Sequence, residues 1–464
     1  MTEFIEEHIP YPRRVFCNRD LRMDSLRYIG FDMDYTLALY KRSMEFLQAE
    51  LVLKGLVSKM GYERAVLAVK YDPDFAIRGL SVDLEHGNVF KMNSHRFVGQ
   101  VWHGNGVLEK ELRRQTYTNR KLAPSDPGIV MVDTQFSLPE ISLYCQLVAH
   151  LEKESKNLDF RKLWEDLRST MDQLHRDDSL KAIVRGDIPK YVHKDQELGE
   201  TLHRFRSAGN KLFVLTNSEP VYTEAVMSHL LDGIHPGYPR WMDYFDFVIA
   251  SARKPIFFNR SEPLLAVDSN GELSDVPVKQ LKRGVIYSGG NLDTIKSLTG
   301  MRGDEVLYVG DHIYGDIMRS KRDTMWRTAM VVQELESELS QIQAMGSEVD
   351  DLEALEDELF QINLVRAAQK VEGKEDRTLV QKAKSITKSI TRLERDLSQS
   401  FNPIWGAMFR DRSELSAFGG QVQSYACLYT SRVTNLKRYS PLWYFRTPRQ
   451  RMPHEQRRVL SQDI

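Results

Sequence analysis

Two carboxylates one residue apart, Asp32 and Asp34, follow the apolar run Tyr28–Phe31 in the stretch YIGFDMDYTLALY. An isolated pair of this kind is most simply a solvated strand end, because Asp side chains cap nearby turn N–H groups. Here the preceding residues are apolar without alternation, as in a strand buried on both faces of a parallel sheet. The following segment, TLALY, is apolar again. In open α/β sheets, ligands gather at the carboxyl ends of such strands. Three later apolar runs also end in polar groups: LFVLTNS at Thr216 and Asn217, FVIASARKP at Lys254, and VLYVGDHIYGD at Asp311 and Asp316. Two acids beside a third make a hard-oxygen site of the kind Mg²⁺ takes. A lysine and a hydroxyl beside it suit a phosphoryl group. One carboxylate can then attack phosphorus while its neighbour carries the proton. Taken singly, Lys254 before Pro255 reads as a solvated strand end and Thr216 as a turn residue. The ordered set is what points to catalysis. Asp316 is its least diagnostic member, since an acid in the first turn of a helix also stabilises the helix dipole.

These groups need a scaffold that brings four strand ends together. In LGETLHRFRSAGNKLFVLTNS, Leu198, Leu202 and Phe205 recur at helical spacing, Gly209 ends the helix, and Leu212–Leu215 form a buried strand. Helix then strand, repeated, predicts an α/β fold with a parallel, Rossmann-like sheet. Residues 1–44 and 196–331 are expected to form this core. Residues 45–195 mix short Gly- and Pro-punctuated strands with helices and read as an inserted cap. From 332 the texture changes. Leu379, Ala383, Ile386, Ile390, Leu393 and Leu397 repeat by fours and threes, after a similar run through Leu352, Leu359 and Ile362. This seam predicts an antiparallel helical hairpin within a C-terminal extension, 332–464, packing on the core. The hairpin either fills only its own core or meets a partner, and the seam points to a homo-oligomer.

Composition narrows the function classes. The 464 residues carry 64 Lys and Arg against 65 Asp and Glu, so no global basic field calls for nucleic acid. The basic, aromatic stretch LKRYSPLWYFRTPRQRMPHEQRR reads as a packed tail with a solvated surface. Cys17, Cys145 and Cys427 lie far apart and form neither a metal spacing nor a disulfide framework, which suits the reducing cytoplasm. No apolar signal core opens the chain, and no apolar run of the roughly 18 residues that read as a membrane-spanning helix occurs.

The motifs DMDYT, LTNS, ARKP and GDHIYGD, in that order, resemble the haloacid dehalogenase-like phosphohydrolases. With GFDMDYTLALY, SLPE before YCQLV, YVHKD, SARKP, GVIYSGG, GDHIYGDIMRSKR and a late MPHE, the chain looks like the cytosolic purine 5′-nucleotidases. That likeness spans about residues 12–455. It implies a nucleophile at Asp32 and an acid/base at Asp34. It implies Mg²⁺ on the Asp32 carboxylate, the Asp34 main-chain carbonyl and Asp311, with Asp316 in support. Thr216, Asn217 and Lys254 would hold phosphoryl oxygens. Arg168, Asp172 and His175 fall on one helix face and by themselves read as an exposed ion pair of little worth. The resemblance makes them base-contacting residues, with Phe136 stacking on the base and Lys181 on the phosphate side. It further implies IMP and GMP as preferred substrates, phosphotransfer to nucleosides, and a purine nucleotide effector near Tyr314 and Arg322. Ser137 and Arg176 depart from the Asn and Tyr of familiar animal members, which affects fine substrate preference, and Asp133 stands where those members have an Asn that contacts the effector base, which implies an altered effector preference. The competing readings are a phosphatase for another small ester and a nucleotide-sensing scaffold with vestigial catalysis. An intact acid pair argues against the scaffold, since a sensor has no use for Asp34.

Overall fold

The computed structural model describes residues 8–118, 120, 122, 126–154, 157–268, 270–318, 324–374 and 376–449. The chain forms two compact units. One comprises the described parts of Arg14–Ala38, Lys194–Val332 and Val422–Ile464; the other comprises those of Met1–Arg13, Leu39–His193 and Gln333–Gln421.

The first unit is built on a nine-stranded sheet: β1 (Phe16–Cys17), β2 (Tyr28–Phe31), β3 (Lys211–Leu215), β4 (Phe247–Ala250), β5 (Leu264–Ala266), β6 (Ile286–Gly289), β7 (Val306–Gly310), β8 (Arg327–Val331) and β9 (Leu428–Thr430). Their order across the sheet is β1-β9-β8-β7-β2-β3-β4-β6-β5. The strands from β9 to β6 are parallel, and β1 and β5 close the two edges antiparallel. The first of the inner strands, β2, lies between β3 and β7, so the chain winds away from it in both directions. This is the switch point at which open α/β sheets bind ligands. All four β2 residues are buried, as expected for a strand covered on both faces. Phe213 stacks on Phe247 with centroids 4.9 Å apart and also packs on Tyr308 and Trp326. Gly30 makes room for it, because a Cβ there would fall 2.1 Å from the Phe213 ring.

In the second unit, a five-stranded antiparallel sheet (Leu80–Asp83, Asn88–Met92, Val98–His103, Gly106–Val107, Ile129–Met131) joins helices Arg42–Lys59, Leu138–Leu151 and Phe160–Arg176. The expected helical hairpin is present as Gly346–Val371 and Arg377–Phe401, with Ile362, Ala383, Ile386 and Ile390 buried in its seam.

The partition differs from the sequence expectation at several boundaries. The hairpin belongs to the unit of the insert, residues 8–13 and 39–44 belong there too, residues 194–195 and 332 belong to the core unit, and of the C-terminal block beyond 332 only residues from 422 onward return to that unit. The return is driven by β9, whose register pairs Ala329 with Leu428. The described part of the basic tail packs: Tyr444–Phe445 pair antiparallel with Leu21–Arg22, and the Val15 N–H donates to the Tyr439 hydroxyl at 3.0 Å. Among the described residues no helix is long and apolar enough to cross a membrane.

Candidate active site

Register fixes the site. Phe31 pairs with Val214 on one side and Val309 on the other, so Asp32, Thr216 and Asp311 leave the sheet together at its carboxyl edge. The Asp32 N–H donates to the Val309 carbonyl at 2.8 Å, and the Asp32 Oδ1 accepts from the Met33 N–H at 2.8 Å. The chain then turns tightly, with the Met33 carbonyl accepting from Thr36, Leu37 and Ala38. Tyr35 in this turn, and Ser251 and Arg253 before Lys254, take left-handed φ angles of 52°, 47° and 55°. Such strain in residues with a Cβ collects at functional sites. Asp316 sits in a short π-helix, Ile313–Met318, directly after β7. It lies so close to β7 that a Cβ on Gly310 would meet Asp316 Oδ2 at 2.6 Å.

Lys254 is the cation of the cluster. Its Nζ lies 3.0 Å from Asp32 Oδ1 and 2.6 Å from Asp316 Oδ1, and it donates to the Tyr308 hydroxyl at 2.9 Å. The Tyr308 hydroxyl donates in turn to the Leu215 carbonyl at 2.9 Å. Burial works against the Lys254 charge, but Asp316 and Asp32 outweigh it and hold the ammonium above its usual range. Burial pushes Asp32 up to about 8; Lys254 pulls it down, and Asp316 and Asp34 push it further up. The Asp34 Oδ2 accepts from the Ser218 hydroxyl at 2.7 Å.

One oxygen from each of Asp32, Asp311 and Asp316 lies within 4.8 Å of the others. Among the described residues these three largely buried carboxyl groups face one ammonium, Lys254, and buried charges persist when paired or bound to metal. The donor set is all hard oxygen, so a divalent cation such as Mg²⁺ fits these residues.

The 5′ nucleotidase family profile matches residues 15–457. A 5′-nucleotidase domain-containing protein of Dictyostelium discoideum is 31% identical over 458 residues, covering 97% of this chain and 76% of its own. The chain belongs to the 5′-nucleotidase family. It is a phosphoric monoester hydrolase. Solved structures similar to it include a haloacid dehalogenase-like family hydrolase from Xanthomonas campestris (11% identity, TM-score 0.25, 66% of this chain and 82% of that one). Another is the L-2-haloacid dehalogenase of Xanthobacter autotrophicus (14% identity, TM-score 0.21, 66% and 78%). Likenesses this low carry no weight; the α/β fold is read from the strand order itself.

In this 5′-nucleotidase-family chain the core unit thus gathers Asp32, Asp34, Thr216, Asn217, Lys254, Asp311 and Asp316 at one sheet edge. The Asn217 side-chain amide is engaged with the Lys254 main chain. Its Oδ1 accepts from the Lys254 N–H at 2.6 Å and its Nδ2 donates to the Lys254 carbonyl at 3.0 Å, so it fixes the loop that carries the lysine. Thr216 is fully buried, and its hydroxyl accepts from the Ser218 N–H at 3.1 Å. Two residues of the core unit carry no signal in the sequence that marks them for the site. Ser218 was visible only as the last letter of TNS, and Tyr308 reads as an ordinary strand residue. Tyr308→Phe keeps the ring packing and removes one partner of a buried ammonium. Hydrogen bonds to charged groups contribute about 1.5–3 kcal/mol, so kcat/KM is expected to fall roughly tenfold or more, with the melting temperature little changed. Steady-state kinetics beside a thermal melt checks this; an unchanged kcat/KM would leave Tyr308 as packing alone.

The other predicted group lies in the second unit. Phe136 and His175 meet edge to face, with centroids 5.4 Å apart. The Arg168 Nη1 donates to the Ser137 hydroxyl at 2.9 Å and to Glu140 at 2.8 Å, while its Nε lies 3.6 Å from Asp172. Glu140, the last letter of SLPE, was not singled out from sequence. Burial pushes it up to about 7, against the pull of Arg168. Burial, then Lys181 and Arg168, lower His175 to about 4, so it is neutral at physiological pH. Lys181 is buried. Tyr314 follows β7 and is 41% exposed; Arg322 and the MPHE motif lie outside the described residues.

Proposed function

We propose that this family member hydrolyses purine nucleoside 5′-monophosphates, IMP and GMP above AMP, through an aspartyl-phosphate on Asp32, in the cytosol. The observation that carries this reading is the pairing of two acids in different environments at one strand end. Asp32 lies against Lys254 among carboxylates, while Asp34 is held by Ser218. An Asp32 oxygen attacks phosphorus, the bond from phosphorus to the nucleoside 5′ oxygen breaks, and Asp34 gives that oxygen its proton. Asp34, now ionised, takes a proton from water as the water oxygen attacks the same phosphorus. The bond to Asp32 breaks and phosphate leaves. A nucleoside hydroxyl in place of water gives phosphotransfer. Asp32, Asp311 and the Asp34 main-chain carbonyl, with Asp316 in support, would hold Mg²⁺, which when bound neutralises phosphoryl charge and favours the ionised Asp32. Lys254 and Thr216 serve the phosphoryl oxygens, with Asn217 holding the lysine's main chain. A phosphate-release panel over nucleoside monophosphates, with and without Mg²⁺, tests the whole; release that is equal without the metal or absent for every nucleotide would overturn it.

The purine preference rests on the second cluster, proposed as the base-reading part of an inserted cap. Phe136, with His175 beside it, supplies an aromatic surface for the base, and Lys181 serves the phosphate side. A 6-oxopurine offers an acceptor at O6 and a donor at N1. Arg168 can only donate, and ionised Asp172 can only accept. Adenine reverses both groups, and each mismatch costs about 1–3 kcal/mol, together roughly a hundredfold in kcat/KM. Asp172→Asn is expected to narrow that gap, because its amide can donate to adenine N1. Comparing kcat/KM for IMP, GMP and AMP on both proteins decides it, and equal wild-type values for IMP and AMP would refute base reading. Activation by a purine nucleotide near Tyr314 and Arg322, and self-association through the hairpin, complete the proposal; a nucleotide titration and light scattering test them.

A further inference from the structure

The apolar repeat read from the sequence packs inside the hairpin. Leu352, Leu355, Leu359 and Ile362 of helix Gly346–Val371 meet Ala383, Ile386 and Ile390 of helix Arg377–Phe401. The first helix carries a second repeat on its other side. Asp357, Phe360, Leu364, Ala367 and Val371 follow one another at intervals of three, four, three and four, the spacing of a coiled-coil stripe. Phe360 is 38% exposed, Leu364 43% and Val371 90%, and Asp357 and Ala367 are exposed as well.

Charge divides the hairpin along its length. From 346 to 358 the first helix has seven acids and no base, beside a balanced stretch of the second, 389–401, where Arg392 and Arg395 offset Glu394 and Asp396. Towards the turn the sign reverses: 359–371 and 377–388 hold Arg366, Lys370, Arg377, Lys382, Lys384 and Lys388 and no acid. The turn itself, 372–376, returns three acids and one lysine, too few to cancel them. Lys382 meets Glu358 across the hairpin at 2.7 Å. Burial, then Glu394, Glu353 and Asp357, hold Glu356 above its usual range, and no described cation pulls it down. Acids early in the first helix suit its dipole, but Arg377 in the first turn of the second does not. Helix stability alone therefore does not account for the division.

We infer that the self-association proposed above, on which this rests, runs through the outer face of helix Gly346–Val371, paired antiparallel with the same face of a second copy. Antiparallel, each acidic end lies on the other copy's basic end; parallel, like charges would meet along the whole length. With the twofold axis at Leu364, that leucine meets its own copy and Phe360 faces the small Ala367 and Ala368. Glu353 and Asp357 then come to Lys370 and Lys374. Two hairpins joined in this way make a four-helix bundle.

The test uses the full chain and sedimentation equilibrium. Leu364→Glu, which sets two carboxylates side by side on the axis, is expected to weaken self-association at least about a hundredfold, because an apolar contact is lost in both copies. Glu353→Lys/Asp357→Lys and Lys370→Glu/Lys374→Glu are each expected to weaken it about tenfold or more. Mixed in equal amounts, these two variants are expected to recover wild-type affinity as a heterodimer. Circular dichroism and a thermal melt, unchanged because the altered side chains are largely exposed, establish that the variants are folded. A wild type that stays monomeric at high micromolar concentration would overturn the self-association and this face together. A wild type that associates, with Leu364→Glu associating as tightly, would overturn this face alone and leave association to another surface. Charge variants that each tighten the complex would overturn the antiparallel direction.

Discussion

Asp32→Asn is expected to lower phosphate release from nucleoside monophosphates by about 10⁴-fold or more, the scale seen when a covalent nucleophile is removed. An amide is a poor nucleophile and a weaker ligand for a hard cation. It also removes the charge that Lys254 faces at 3.0 Å. The fold should survive, because the lysine keeps Asp316 at 2.6 Å and Tyr308 at 2.9 Å. Burial already disfavours the Asp32 charge, raising it to about 8, so a neutral isostere avoids that cost. The checking measurements are phosphate release, a thermal melt, and mass spectrometry for a phosphorylated chain. A folded variant with a tenth of wild-type activity would remove Asp32 from the role.

How much of this was readable beforehand depends on the range of the signal. The ends of β2, β3, β4 and β7 announced themselves, because a doubly covered strand is a short apolar run and an acid, hydroxyl or lysine at its end is conspicuous. The hairpin was equally visible, because its seam repeats over many turns. Partnerships between distant residues were not. Ser218 and Asp34 are 184 positions apart, and the contact of Lys254 with Tyr308 spans 54. A tyrosine inside an apolar strand looks like core, and Glu140 in the first turn of its helix looks like dipole compensation. Asn217 is a further case: its position at a strand end suggests a phosphoryl ligand, and that both ends of its amide go to the main chain of Lys254 could not be read from the sequence. Nothing in the sequence divides the block 332–464, because β9 is only three residues long and leaves no periodicity to read. What recruits it to the core is the open edge of β8, a property of the assembled sheet.

Asp34→Asn is expected to separate the two halves of the reaction. A general acid or base contributes about 10²–10⁴-fold, and Asp34 is proposed to act as both in turn, so turnover of IMP should fall across that range. The loss should depend on the leaving group. A nucleoside 5′ oxygen departs poorly without a proton, whereas p-nitrophenolate needs none. With p-nitrophenyl phosphate the variant should therefore still phosphorylate Asp32, then stall, because the water step lacks its base. The readout is a burst of about one nitrophenolate per chain followed by a slow phase, the kinetic mark of an accumulating covalent intermediate. Ser218→Ala should be milder, since it removes only the hydroxyl that donates to Asp34 Oδ2 at 2.7 Å and leaves the carboxylate in place. Metal binding should be largely kept in Asp34→Asn, because the contact proposed there is the main-chain carbonyl, and the oxygen cluster is formed by Asp32, Asp311 and Asp316 without the Asp34 side chain. Equal losses on both esters, with no burst, would move Asp34 from proton transfer to phosphate or metal binding. Wild-type rates on IMP would remove it from the chemistry and leave the Ser218 contact as a structural one.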